Sequence, residues 1–105
     1  MNITVTRLLA ALGLAAFVPT VAAPAFAYTG ENLAHEAKIS VEQARRIALK
    51  AHPGKITDEE LEREAGGSGL RYSFDIKRGQ ITQEVGVDAT TGRVLENKAE
   101  GANPD

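Results

Sequence analysis

Few side chains in this chain of 105 residues could do covalent or acid–base chemistry. It has no cysteine, which removes a thiol nucleophile, a disulfide framework and a lipid attachment site together. The two histidines, His35 and His52, stand apart and make no H-E-x-x-H spacing. A metal site built on them would have to recruit carboxylates from distant segments. The serines lack a base: Ser40 is placed to cap a helix, Ser68 lies in a glycine turn, and Ser73 has the parity of an outward-facing strand residue. The acidic run Asp58, Glu59, Glu60, Glu62 and Glu64 could pair carboxylates or take a weak calcium ion. Calcium wants roughly 6–8 oxygen ligands on a folded loop. No loop signature accompanies the run, so it reads as a solvated face. The turn at Asp88 has a superficial likeness to a calcium loop but lacks the alternating Asp/Asn positions. Tyr72 and Phe74 could form an exposed aromatic platform, yet they share parity with Leu70 and Ile76, which assigns them to the core. No catalytic residue, metal or cofactor is expected.

The first 27 residues carry an export pattern. Met1–Arg7 has one basic side chain and no acidic one, Leu8–Val18 is an unbroken apolar run, and Pro19 breaks any helix there. Ala25-Phe26-Ala27 is the A-x-A pattern that signal peptidase accepts, because its two pockets admit only small side chains. Cleavage after Ala27 makes Tyr28 the new N-terminus. A spanning helix needs ~20 apolar residues, so length alone leaves an uncleaved anchor open; Pro19, Pro24 and the alanines favour cleavage. Arg7 stands alone, so no twin-arginine signal is present. Without Arg7 the remainder has 11 basic and 14 acidic residues, net −3, which gives no reason to expect nucleic acid or anionic membrane as a partner. A chain of ~70–80 residues supports one small core at most, and a deep catalytic cleft is not expected.

Residues 28–38 read as a polar linker with at most a frayed helical turn, and 98–105 as a disordered tail. Between them, Ser40 and Gln43 form a capping box, with Ile39 able to pack on Ala44 as a hydrophobic staple. Val41, Ala44, Ile47, Ala48 and Ala51 follow as one apolar stripe, leaving Arg45, Arg46 and Lys50 on the wet side. Gly54 is expected to supply a left-handed stop. Residues 70–77 alternate as a half-buried strand, and a second alternating run carries Ile81, Val85 and Val87. Setting Ile76 opposite Ile81 pairs Phe74 with Gln83, Tyr72 with Val85 and Leu70 with Val87. The turn Asp88–Gly92 has Asp88 to bond its own backbone and Gly92 for a positive φ, and it delivers Val94 opposite Val87. Leu95 then points to the other face without a reason in the pattern. Residues 55–65 are ambiguous: Thr57 and Glu60 suit a capping box and the composition favours helix, whereas a strand would need a bulge because Ile56 and Leu61 have opposite parity.

The order of these signals, SVEQARRIALKAHPGKI, LRYSFDIKRG and VDATTGRVL, resembles a PepSY domain, the module found in propeptides of thermolysin-like metallopeptidases and in bacterial envelope proteins. The resemblance covers residues 39–97. Its most specific pieces are Ala44 with Ala48, the Pro53-Gly54 stop, and Asp88, Thr91, Gly92 and Val94. It implies an α+β fold, one helix on a small antiparallel sheet, and it turns residues 55–65 into a strand followed by the Gly66–Gly69 turn. It brings no catalytic residue with it. Two functional classes remain. The first is an exported protein-interaction module, inhibitor-like, that binds or restrains an envelope peptidase. The second is a structural or sensing protein of the periplasm or medium, with a small ligand or none.

Overall fold

The computed structural model describes residues 27–101. The expected leader over 1–26, with Ala25, lies outside the described residues, as does 102–105. A short 3₁₀ helix, Glu31–Glu36, precedes helix α1 (Val41–Ala51). Strands β1 (Lys55–Arg63), β2 (Leu70–Arg78), β3 (Ile81–Asp88) and β4 (Val94–Ala99) follow. The strands form one antiparallel sheet in the order β1-β2-β3-β4, and α1 packs on one face of it, which is the α+β arrangement expected.

Local chemistry sets the helix. Ser40 Oγ accepts the Gln43 N–H at 3.1 Å, and Gln43 Oε1 accepts the Ser40 N–H at 2.9 Å. This satisfies two donors that the first turn would otherwise leave unpaired. Ala44 and Ala48 are fully buried and let the helix backbone lie close to the sheet. Beneath them Leu61, Tyr72, Phe74, Ile76, Val85 and Val87 fill the core. Each such side chain contributes about 1.5–3 kcal/mol when removed from water. The helix ends differently from expectation. Pro53 disfavours helical geometry in the residue before it, and His52 is extended at φ −148°, ψ 99°. Gly54, at φ 159°, is extended and is not a left-handed stop. Its missing side chain matters because a Cβ would lie 2.7 Å from both Ile76 Cγ2 and Lys77 O.

Residues 55–63 are a strand, as the family pattern implies and propensity does not. Ile56 pairs with Ile76 and Asp58 with Asp75, so Thr57 is the extra residue of a bulge. That bulge brings Ile56 and Leu61 to the same face despite their opposite parity. Burial of Leu61 outweighs the helical preference of the segment.

Three expectations are corrected. The β2–β3 register differs by two residues: Ile76 pairs with Gln83, Phe74 with Val85 and Tyr72 with Val87. Gly79, at φ 65°, opens a two-residue connection between Arg78 and Ile81, tighter than the pairing of Ile76 with Ile81 allows. An even shift preserves the faces, so the core is unchanged and only Ile81, about half exposed, is left outside it. The linker is not a linker: Tyr28, Leu33 and Ala37 pack against the core, and the Lys38 and Ile39 N–H groups donate to Ala89 O. Residues 98–100 are not tail, since β4 runs to Ala99 and the Glu100 N–H donates to Thr82 O at 2.8 Å. A second bulge, between Gly86/Val87 and their partners, accounts for Leu95, whose side chain reaches over the backbone of Gly67.

Candidate functional site

The outer edge of β1 carries an open groove of about 790 Å³, lined among others by Tyr28, Thr29, Arg45, Ile56, Asp58 and Glu59. Its position follows from the N-terminal stretch. Thr29 makes a parallel bridge to Glu60, and the Leu61 N–H donates to Thr29 O at 2.8 Å. Gly30 then turns the chain away at φ 86°, where a Cβ would overlap Leu61 O. This contact covers the edge near Leu61 and leaves the stretch from Lys55 to Glu59 beside the groove. Tyr28 forms a wall, its ring tilted against Tyr72 at 6.4 Å. Burial, then the carboxylates of Glu31 and Glu42, push the Tyr28 phenol up. Tyr72 is pushed up to about 12, chiefly by burial and then by Tyr28. Its hydroxyl donates to Ile39 O at 2.9 Å.

Arg45 does not lie on the wet side of α1 as the helical stripe suggests. It grips Glu59 in a two-pronged ion pair, Nε to Oε2 at 2.5 Å and Nη2 to Oε1 at 2.8 Å. Glu59 therefore faces the helix, and one member of the acidic run is neutralised. The remaining members sit on the uncovered face. Asp58 stands opposite Asp75, which stands opposite Glu84, and Glu60 lies opposite Ser73. Burial, then Glu62, Asp58, Asp75 and Glu64, push the Glu60 carboxyl up. Asp75 and Glu84 are also pushed up, by burial first and by neighbouring carboxylates after it.

Four of the residues that carry the resemblance, Asp88, Thr91, Gly92 and Val94, gather elsewhere, at the opposite end of the sheet. Asp88 accepts four hydrogen bonds: from the Ser68 N–H at 2.6 Å, the Ser68 hydroxyl and the Thr90 N–H at 2.8 Å, and the Thr91 N–H at 3.1 Å. Burial pushes its carboxyl up, but these donors outweigh it and hold it at about 2. Gly92, at φ 80°, closes the turn with its N–H on Asp88 O, and Val94 pairs with Val87 at the start of β4. Arg71, beside Asp88, is buried and reaches Glu96 at 3.4 Å and Glu64 at 3.5 Å. These contacts tie two turns to the sheet and leave no reactive group exposed among them.

Ser40, Gln43, Ala44 and Ala48 belong to α1 and its cap, Gly54 to the approach of β1 on β2, and Asp88, Thr91, Gly92 and Val94 to the second turn. Of the expected processing residues, Ala27 and Tyr28 line the groove. Tyr28, Thr29 and Arg45 had no place in a site read from sequence; the one available signal was an aromatic residue in an otherwise polar stretch. His35 is exposed in the 3₁₀ helix beside Asn32 and Glu36, and His52 ends α1. Among the described residues, no three of His, Asp or Glu converge as a metal site, and no helix is long and apolar enough to cross a membrane. No curated protein and no solved structure matches the chain. Residues 38–98 do match a family model, that of the peptidase propeptide and YPEB domain, with a match spanning more than half the chain. One capped helix on a four-stranded sheet, closed by the Asp88–Gly92 turn, is thus the fold of a member of the PepSY family, to which this chain belongs.

Proposed function

We propose that this is an exported, non-catalytic PepSY protein of the periplasm or medium that binds another polypeptide, and that the polypeptide is an envelope peptidase it restrains. PepSY domains are in general propeptide or regulatory modules and in general interact with peptidases. The observation that carries the reading is the open half of the β1 edge beside a groove. An unpaired edge presents N–H and C=O groups to an extended chain. The groove's charged pair, Arg45 with Glu59, is already engaged.

Export supplies the compartment. Removal of residues 1–27 leaves Tyr28 as the first residue, and an intact mass retaining them would make the leader an anchor. The functional test is titration of the exported protein against envelope peptidases, reading binding and altered proteolysis together. Peptidase binding with slowed turnover is the expected result. If no peptidase binds and a small molecule or metal ion raises the melting temperature instead, the protein is a sensor.

A further inference from the structure

We infer that the segment bound at this edge is an extended strand of alternating apolar and basic residues, added to β1 over Lys55–Glu59. The inference rests on the proposed function and specifies the chemistry of the partner. The hydrogen-bonding groups come first. Leu61 directs its N–H away from β2, to Thr29. Backbone direction alternates along an antiparallel ladder, so Glu59, two residues earlier, directs its N–H to the same outer side, while its C=O faces Thr29 across the parallel bridge. Among the described residues the chain's own coverage of this edge is the bridge at Thr29 and Glu60. The bulge at Thr57 bends the strand, which limits the added strand to a short one and disfavours flat pairing with a second copy.

The two sides of such a strand meet different surfaces. On the helix side lies the groove, with the Tyr28 ring, Ile56 and a neutralised ion pair, and it suits apolar side chains. On the other side lie Asp58 and Glu60, with Asp75 behind Asp58 on β2. Among the described residues Arg45, Arg63 and Arg71 are engaged elsewhere, with Glu59, with Glu36, and with Glu64 and Glu96, and the neighbouring Lys55 and Lys77 make no ion pair with Asp58 or Asp75. Like charges directly opposite on neighbouring strands destabilise a sheet. Lysine or arginine on the added strand would relieve that repulsion. Lys55 pairs with Lys77 at the far end of β1, so the same contact there would be repulsive, and a basic residue belongs opposite Asp58, with Glu60, itself bridged to Thr29, at its flank.

The test is an amide-resolved NMR titration of the exported protein with three short blocked peptides. The first alternates lysine and valine, the second replaces lysine by glutamate, and the third is the first with the edge-facing amides N-methylated. The lysine peptide is expected to bind and to shift amides at Tyr28, Thr29 and along Lys55–Glu60. Glutamate or N-methylation is expected to weaken it about tenfold or more. The double variant Asp58→Asn, Glu60→Gln is expected to lose about tenfold in affinity while its melting temperature holds or rises slightly, since it also relieves the repulsion with Asp75. No binding by the lysine peptide, equal binding by the N-methylated one, shifts confined to β4, or self-association through β1 would each overturn the inference. A peptidase that binds the protein and the double variant equally would overturn it too, while leaving the proposed function standing.

Discussion

Asp88 and the carboxylates beside β1 are chemically alike and sit in opposite surroundings. Asp88 is buried among four donors that hold it ionised well below the usual range. Asp58, Glu60 and Asp75 face away from the helix, and burial together with neighbouring carboxylates pushes Glu60 and Asp75 upward. A carboxylate whose acceptor capacity is filled by the protein serves the fold. One crowded by its own kind has capacity left for something outside. The difference separates a carboxylate that closes a turn from carboxylates that a partner would meet.

The comparison breaks most directly at Asp88. Asp88→Ala leaves the Ser68, Thr90 and Thr91 N–H groups without their acceptor, and hydrogen bonds to a charged group are worth about 1.5–3 kcal/mol each. A loss of about 3 kcal/mol or more is expected in a urea melt; a loss below 1 kcal/mol would show that the corner is not what closes the fold. Gly92→Val comes next. It forces a β-branched residue to φ 80° and sets a Cβ 3.2 Å from Ile47 Cδ1. A cost of about 1–3 kcal/mol follows, read as a fall in melting temperature of roughly 4 °C or more; an unchanged midpoint would mean that the turn tolerates a side chain.

At the groove the effects on stability are smaller. Arg45→Ala removes a part-buried, two-pronged ion pair whose side chains are 23% and 14% exposed, and should cost about 1–2 kcal/mol. A loss as large as that of Asp88→Ala would make the groove rim part of the core. Asp75→Asn is expected to stabilise at neutral pH by a few tenths of a kcal/mol, since it removes one of two carboxylates placed directly opposite each other. The pH dependence sharpens the contrast because its signs are opposite. Asp88 is depressed from 3.8 to about 2, so its contribution is present above 3.8 and is lost as the pH falls towards 2. Asp75 and Glu60 are raised, so their contribution is present below the ordinary carboxylate values and is lost as the pH rises through the raised ones. Stability measured against pH should therefore decline on both sides of a maximum in mild acid. Asp88→Asn should flatten the acid side and Asp75→Asn the other; identical profiles for the two variants would remove the distinction.

Much of the fold was legible in the chain because the interactions that set it are short in sequence. The capping box spans Ser40 to Gln43, the Asp88 turn closes within five residues, and the alternation of Leu70 to Ile76 assigns a face without knowledge of the partner strand. The candidate site was much less legible. Tyr28 and Thr29 meet β1 across some thirty residues, and nothing local in a polar stretch announces that contact. Arg45 falls on the outer side of a helical wheel, and only the extra residue at Thr57 decides which way Glu59 faces.

Taken alone, then, the amino-acid sequence determined the cysteine-free composition, the capped amphipathic helix, the buried face of the hairpin and the family pattern, all consequences of local hydrogen bonding and periodicity. The tertiary structure decided the strand at 55–63, the β2–β3 register, the extended backbone at Gly54 and the groove itself. For the strand and the groove the deciding interaction is between segments far apart in the chain, as Leu61 is buried only when the sheet forms; for the register, two pairings of equal parity bury the same residues, so the hydrophobic pattern does not choose between them. Propensity does not register a neighbour that the fold has yet to supply.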